Sequence, residues 1–90
     1  MRIHLAPLNP TIGDLAANAA LVEAACNTAR SGNAALVVTP ELMVSGYPPK
    51  DLIAQSGFID ACMREADAVG ARASRGITLV LGTPWRDESW

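Results

Sequence analysis

The stretch at residues 37–52, VVTPELMVSGYPPKDL, decides both the fold class and the candidate site of this sequence. An apolar run that begins at Ala34 ends at Thr39-Pro40, and a single carboxylate, Glu41, follows at once. Continuous apolar runs of this length are typical of strands covered on both faces, as in parallel sheets. Ligands of open α/β sheets bind beyond the carboxyl ends of the strands, so Glu41 stands where a functional carboxylate is expected.

Two further apolar runs predict strands on either side of this one. They lie at residues 3–8 and 77–81, and the second ends, like the central run, in Thr-Pro (Thr83-Pro84). Turn-forming residues at 9–13 follow the first run. The sequence therefore predicts three short strands separated by longer segments.

The longer segments have the period of amphipathic helices. The first begins after Asp14, a candidate N-cap, runs to about Arg30 and is expected to end at Gly32. Its predicted apolar face consists of Leu15, Ala19, Val22, Cys26 and Ala29. The second runs from Phe58 to Val69, with Ser56 as a candidate cap. The resulting order, β-α-β-α-β, predicts an α/β layered fold.

Composition excludes several classes of protein. Ninety residues suit one small domain, and 50% hydrophobic with 18% charged residues is typical of globular proteins. The seven basic residues are scattered and the net charge is −2, which argues against a nucleic-acid partner. No apolar run approaches the ~20 residues that span a bilayer, and no secretory signal is evident. Two isolated cysteines are most simply reduced thiols, so we expect a cytoplasmic protein without a membrane partner.

Glu41 and Tyr47 each admit two interpretations from pattern alone. Neighbouring apolar residues at 42–44 are expected to shield Glu41 from water, which would favour a general base, but a solvated or capping glutamate fits the same pattern. The prolines after Tyr47 hold it in extended geometry, so it could present its hydroxyl to a ligand or fill a gap in the core.

The other chemically reactive side chains favour structural roles. Cys26 and Cys62 lie on the apolar stripes of the helices, where a free cysteine acts as a small hydrophobe. His4 has no metal-ligating residue at ligand spacing. No phosphate-binding glycine loop and no nucleophile-elbow motif is present.

Three quoted segments carry a resemblance to a known family. RIHLAPLNPTIGDLAANAALVEAA, ALVVTPELMVSGYPPKDLI and GITLVLGTPW resemble the start of the nitrilase (carbon–nitrogen hydrolase) superfamily. Within it they are similar to the glutaminase domain of glutamine-dependent NAD⁺ synthetases. Pro40-Glu41 is general to the superfamily. The fuller string is more specific to the synthetase branch; it adds Leu8-Asn9-Pro10, Gly13-Asp14, Gly46-Tyr47-Pro48-Pro49 and Asp51-Leu52.

The resemblance implies an α-β-β-α sandwich, of which residues 1–90 would be an N-terminal β-α-β-α-β portion. It also implies a Glu-Lys-Cys triad in which Glu41 is the general base, and a glutamine pocket that Tyr47 helps to form. A cysteine thiolate would attack the glutamine side-chain amide, and ammonia would leave from the resulting thioester. The ammonia would serve a following synthetase domain, where ATP and Mg²⁺ are expected, to amidate deamido-NAD⁺. No cofactor or metal is implied for this chain itself, and full-length members form homo-oligomers.

The chain also departs from the family pattern. The family lysine and nucleophilic cysteine are expected after Trp90, and Lys50, Cys26 and Cys62 match neither. His4 and Pro7 stand where the family more often has alanine and glutamine. The 90-residue chain alone is therefore predicted to be inactive and poorly stable. The alternatives are a fragment of another nitrilase-superfamily amidase, or a non-catalytic α/β interaction module that pairs through its sheet edge.

Overall fold

The chain folds into a three-stranded sheet with one layer of two helices. The structure, a computed structural model, describes residues 2–46 and 57–85. Along the chain the elements are β1 (Ile3–Leu5), α1 (Leu15–Ser31), β2 (Leu36–Val38), α2 (Phe58–Ala73) and β3 (Thr78–Val80). The predicted order and α/β class are confirmed. The strands are shorter than the apolar runs because only three residues of each form regular ladder pairs.

All three strands run in parallel, in the order β1-β2-β3. His4, Val37 and Leu79 stand in register across the sheet, with Leu5, Val38 and Val80 in the next row. Successive side chains of a strand point to opposite faces, so these two rows lie on opposite faces of the sheet. Because the strands are parallel, the loops after all three emerge at a single edge.

The helices cover the face that carries His4, Val37 and Leu79. Val37 is completely buried, and Leu79 packs against the main core cluster. The cluster also takes in most of the buried stripe of α1, and α1 and α2 pack against each other. The predicted apolar face of α1 is confirmed, with Leu15 only partly buried at its start.

The opposite face of the sheet is left open by the described residues. Leu5 is 70% exposed, Ile3 54% and Val80 50%. Leu5 and Val80 belong to the same register row, and Ile3 lies two residues before Leu5 on the same face. Exposed apolar patches of this kind mark surfaces that another element covers.

The helix ends explain where the elements begin and stop. Asp14 caps α1 as predicted, its Oδ1 accepting the Ala17 N–H at 3.2 Å. Gly32 ends α1, and its N–H donates to the carbonyls of Thr28 and Ala29. The prediction of Ser56 as the cap of α2 is wrong. Gly57 occupies that position, with φ +84° and no side-chain cap, while residue 56 itself lies outside the described ranges. No helix in the described part of the chain is long and apolar enough to cross a membrane.

Candidate active site

Glu41 starts a compact turn directly after β2. The turn spans residues 41–45 and is closed by the Gly46 N–H, which donates to the Leu42 carbonyl at 2.8 Å. Met43 and Val44 are completely buried, whereas Glu41 is exposed. The expected shielding of Glu41 by residues 42–44 is therefore wrong, because two of these side chains leave it to enter the core.

Glu41 is one of the residues that line a cavity of about 350 Å³. One wall is the segment after β1, formed by Leu8, Asn9 and Pro10, and the other is the segment after β2, formed by Pro40, Glu41 and Leu42. The cavity thus lies at the carboxyl ends of two adjacent parallel strands, as the sequence predicted. Its lining is mainly apolar with one carboxylate and one carboxamide, a composition that suits a small polar ligand oriented by few groups.

Gly82, after β3, supports the turn from below. Its N–H donates to Thr39 Oγ1 at 3.0 Å, and its carbonyl accepts the Val44 N–H at 3.1 Å. A methyl group on Gly82 would overlap the backbone carbonyls of Pro40 and Glu41. Only glycine allows the backbone at position 82 to approach residues 40 and 41 so closely. This contact helps to position Glu41 relative to the sheet.

Asn18, one turn into α1, supports the site from the other side. This completely buried side chain bonds the backbone of Thr11 and the carbonyl of Val44. The sequence did not single out Asn18. The sequence nevertheless contains a sign of its role: Asn18 is an amide on the otherwise apolar face of the helix, and a buried amide requires hydrogen-bond partners.

Relatives with the same sequence pattern are known. The glutamine-dependent NAD(+) synthetase of Rhodobacter capsulatus is 41% identical over 88 residues, which cover 98% of this chain and 16% of that relative. In the solved structures, the Cytophaga hutchinsonii glutamine-dependent NAD(+) synthetase aligns with a TM-score of 0.89 at 27% identity, over 98% of this chain and 15% of that one. No protein-family model matches the chain.

The chain is homologous to a small portion of the glutamine-dependent NAD⁺ synthetases. The predicted resemblance is thereby confirmed, together with the fold class. An amidase from Nesterenkonia sp. also aligns, with a TM-score of 0.68 and 32% identity over 88% of this chain and 30% of that one. The chain spans about a sixth of the length of the synthetase relatives it matches.

The second predicted site residue of this synthetase-like segment, Tyr47, lies outside the described residues, as do the prolines at 48–49. Its pocket role stays a prediction. The described segment ends at Gly46, which has a φ of +79° and lies close to the backbone of Ile12. A Cβ at this position would lie 2.6 Å from Ile12 Cα.

Neither thiol of the chain has the setting of a nucleophile. Cys26 and Cys62 are both completely buried. Burial raises the pKa of the Cys62 thiol, and it also raises that of Cys26 despite the opposing charge of Arg30. A thiol held neutral in the core can neither attack an amide nor exchange readily with solvent, so both cysteines act as core residues.

Proposed function

We propose that residues 1–90 are an N-terminal part of the glutaminase domain of a glutamine-dependent NAD⁺ synthetase, with Glu41 as its general base. The observation that carries the proposal is the position of Glu41. In a chain that matches such synthetases over nearly its whole length, Glu41 lines a crevice at the carboxyl ends of β1 and β2.

In this reaction Glu41 moves protons without changing its own covalent structure. Its carboxylate accepts the proton of a cysteine thiol supplied by a later part of the protein, and the thiolate attacks the side-chain amide carbon of glutamine. The carboxyl group then returns the proton to the leaving nitrogen, which departs as ammonia. Water hydrolyses the thioester, so that glutamate leaves and the thiol is restored.

The described lining suits this chemistry. The volume of about 350 Å³ lies within the range of ~300–1,000 Å³ that is usual for small-molecule sites. Leu8, Pro10 and Pro40 line the cavity with apolar surface, while Asn9 adds a carboxamide that can bond a polar end of glutamine. Tyr47 would complete this pocket.

The remaining steps belong to other parts of the proposed protein. ATP with Mg²⁺ would activate deamido-NAD⁺ in a synthetase domain, and ammonia from the glutaminase site would complete NAD⁺. The open sheet face with Ile3, Leu5 and Val80 would be covered by the second sheet of an α-β-β-α sandwich. The full-length enzyme would be a cytoplasmic homo-oligomer.

The test begins with the complete reading frame that contains this sequence. A product with a lysine and a cysteine in nitrilase-like settings and an ATP-binding synthetase domain is expected. It is expressed, and NAD⁺ formation is measured with either glutamine or free ammonia as the nitrogen source. Glu41→Gln should lower the glutamine-dependent rate by about 10²- to 10⁴-fold, as expected for a lost general base. The ammonia-dependent rate should persist.

The matched control is Glu23→Gln, which removes the same charge from the surface of α1, where Glu23 pairs with Arg72. It should leave both rates near those of the unaltered protein. Equal glutamine-dependent rates for Glu41→Gln and the control would overturn the role of Glu41. A reading frame that stops directly after Trp90 would overturn the synthetase proposal.

The second candidate function is that of another amidase, favoured by the likeness to the Nesterenkonia amidase. That likeness covers 88% of this chain with a TM-score of 0.68, against 98% and 0.89 for the synthetase structure. Under this alternative the complete product would hydrolyse a small linear amide, release ammonia and form no NAD⁺ from any nitrogen source. The same pair of assays therefore separates the two candidates.

A further inference from the structure

The carboxamide of Asn18 joins the two walls of the Glu41 cavity. Oδ1 accepts the Thr11 N–H at 2.8 Å, and Nδ2 donates to the Thr11 carbonyl at 2.7 Å and to the Val44 carbonyl at 2.8 Å. Thr11 directly follows Pro10, which belongs to the first wall. Val44 lies three residues after Glu41, in the turn that forms the second wall.

An amide is the group that these three bonds require. They use both Nδ2 protons and one lone pair of Oδ1, on one donor and two acceptors of the backbone. A carboxylate would face two carbonyl oxygens without a proton. An aliphatic side chain would take away the bonding partner of the Thr11 N–H and of the Val44 carbonyl, while the Thr11 carbonyl would keep the Asp14 N–H, which donates to it at 3.2 Å. The bond to the Val44 carbonyl is buried, so water cannot readily replace that partner, whereas the two bonds to Thr11 are part-buried.

The support for Asn18 itself is rigid. The residue lies in the second turn of α1, its N–H bonded to the carbonyl of the capping Asp14 at 3.0 Å. A further bond holds the same two segments together, from the Gly13 N–H to the Ser45 carbonyl at 2.8 Å. Because Asn18 is held in the helix, its amide bonds set the distance between the two walls of the cavity.

We infer that Asn18 is a positioning residue for Glu41: its buried amide fixes the turn that carries the carboxylate relative to the opposite wall of the crevice. This inference rests on the proposed function, in which Glu41 is the general base. Asn18 is not among the residues that line the cavity. Its loss should therefore act on the alignment of the base more than on the binding of glutamine.

The test uses the full-length protein with Asn18→Leu, which has a similar size and no polar atoms. We expect kcat for glutamine hydrolysis to fall by about 10- to 100-fold, because a misplacement of about 1 Å can reduce a rate by 10²-fold. The KM for glutamine should change less than about threefold, because the substitution leaves the contacts that bind glutamine in place. The ammonia-dependent rate should stay within about twofold, since that route does not use Glu41.

Val22→Ala is the matched control, since it opens a cavity at a completely buried position on the same helix, in a different core cluster from Val44. It should lower the melting temperature while leaving the glutamine-dependent kcat nearly unchanged. Asn18→Ser, whose hydroxyl can still bond one of the carbonyls, should retain more kcat than Asn18→Leu. It replaces the leucine variant if that variant is insoluble.

The outcomes separate two kinds of failure. If Glu41→Gln abolishes glutamine use but both Asn18 variants keep the full kcat, the positioning role is overturned and the proposed function stands. If Glu41→Gln has no effect, the proposed function fails, and with it the inference. If the Asn18 variants lose glutamine- and ammonia-dependent rates equally, or do not fold, Asn18 serves the fold alone and the inference is overturned.

Discussion

The sheet has two edges at which its strands begin and end, and different kinds of contact hold the loops together at each. We call them the amino edge, where the strands begin, and the carboxyl edge, where they end. At the carboxyl edge, where the strands end, the loops meet through the buried amide of Asn18, the hydroxyl of Thr39 and the close backbone packing of Gly82. At the amino edge, where the helices end and the strands begin, the ties are made by two arginines. Arg30 bonds the carbonyls of Ala73 and Arg75, while Arg2 bonds that of Gly32.

The difference lies in precision more than in the number of bonds. A guanidinium on a long side chain satisfies orphan carbonyls at helix ends and tolerates small displacements of its partners. The carboxyl edge does not tolerate such displacements, because the backbone of Gly82 lies against those of Pro40 and Glu41 and the side chain of Asn18 is completely buried. The tightly held edge is also the one that carries the Glu41 cavity. A site that must hold a carboxylate in one place needs support of this kind.

Gly82→Ala should have the largest effect on stability. The added methyl overlaps the carbonyls of Pro40 and Glu41. Because these are backbone groups, the overlap can be relieved only by moving the whole segment. We expect a loss of about 3 kcal/mol in the free energy of unfolding, typical of overpacking against a rigid neighbour. Urea unfolding followed by circular dichroism measures this loss.

The matched control is Gly70→Ala, inside α2, where a Cβ would meet nothing within 4 Å. Alanine is favoured over glycine there by about 0.5–1 kcal/mol, so this variant should be more stable than the unaltered protein. If both substitutions had the same sign, the carboxyl edge would not be the tightly packed one, and the comparison of the two edges would fail.

Arg30→Ala should have an intermediate effect at the amino edge. The guanidinium donates to two backbone carbonyls near the C-terminus of α2 and to Asn27 Oδ1 at 2.8 Å. These bonds are partly solvated, so we expect a loss of about 1–2 kcal/mol, and less with added salt. Arg64→Ala removes the same charge from an exposed position of α2 and should cost under about 0.5 kcal/mol. Glutamine use should be unaffected by Arg30→Ala. A loss of glutamine use at constant stability would show that the two edges are coupled.

Arg72→Ala should have the smallest effect. Arg72 joins α2 to Glu23 of α1 through an ion pair of 2.9 Å, in which the two side chains are 43% and 41% exposed. Exposed pairs of this kind contribute about 0–1 kcal/mol, so we expect a change below about 0.5 kcal/mol that disappears in high salt. Thermal melts at low and high salt measure it. A loss as large as that of Arg30→Ala would mean that surface pairing, and not bonding to helix ends, ties the helix layer together.

Local features of the sequence predicted a large part of the fold. The caps at Asp14 and Gly32, the helical stripes and the apolar runs all reflect interactions between residues close in sequence, which pattern alone can show. The start of α2 was harder to predict. Gly57 caps it through a left-handed backbone conformation, which a serine one residue earlier obscured.

The sequence predicted where Glu41 lies in the fold, but not how exposed its side chain is. Glu41 follows β2 in sequence, and the parallel arrangement brings Leu8 to Pro10 beside it, as the rule for open α/β sheets requires. Its exposure was predicted wrongly, because residues adjacent in sequence need not shield one another when a turn sends them in different directions.

By itself, the sequence determined the element order, the parallel α/β class and the placement of one acid at a strand end, since period, capping and strand order are written along the chain. The tertiary structure alone decided what holds that acid. The link from Asn18 to Val44 spans 26 residues and the bond from Gly82 to Thr39 spans 43. Contacts over such separations arise only when the packed elements bring the segments together, so no local pattern marks an asparagine or a glycine as part of the site.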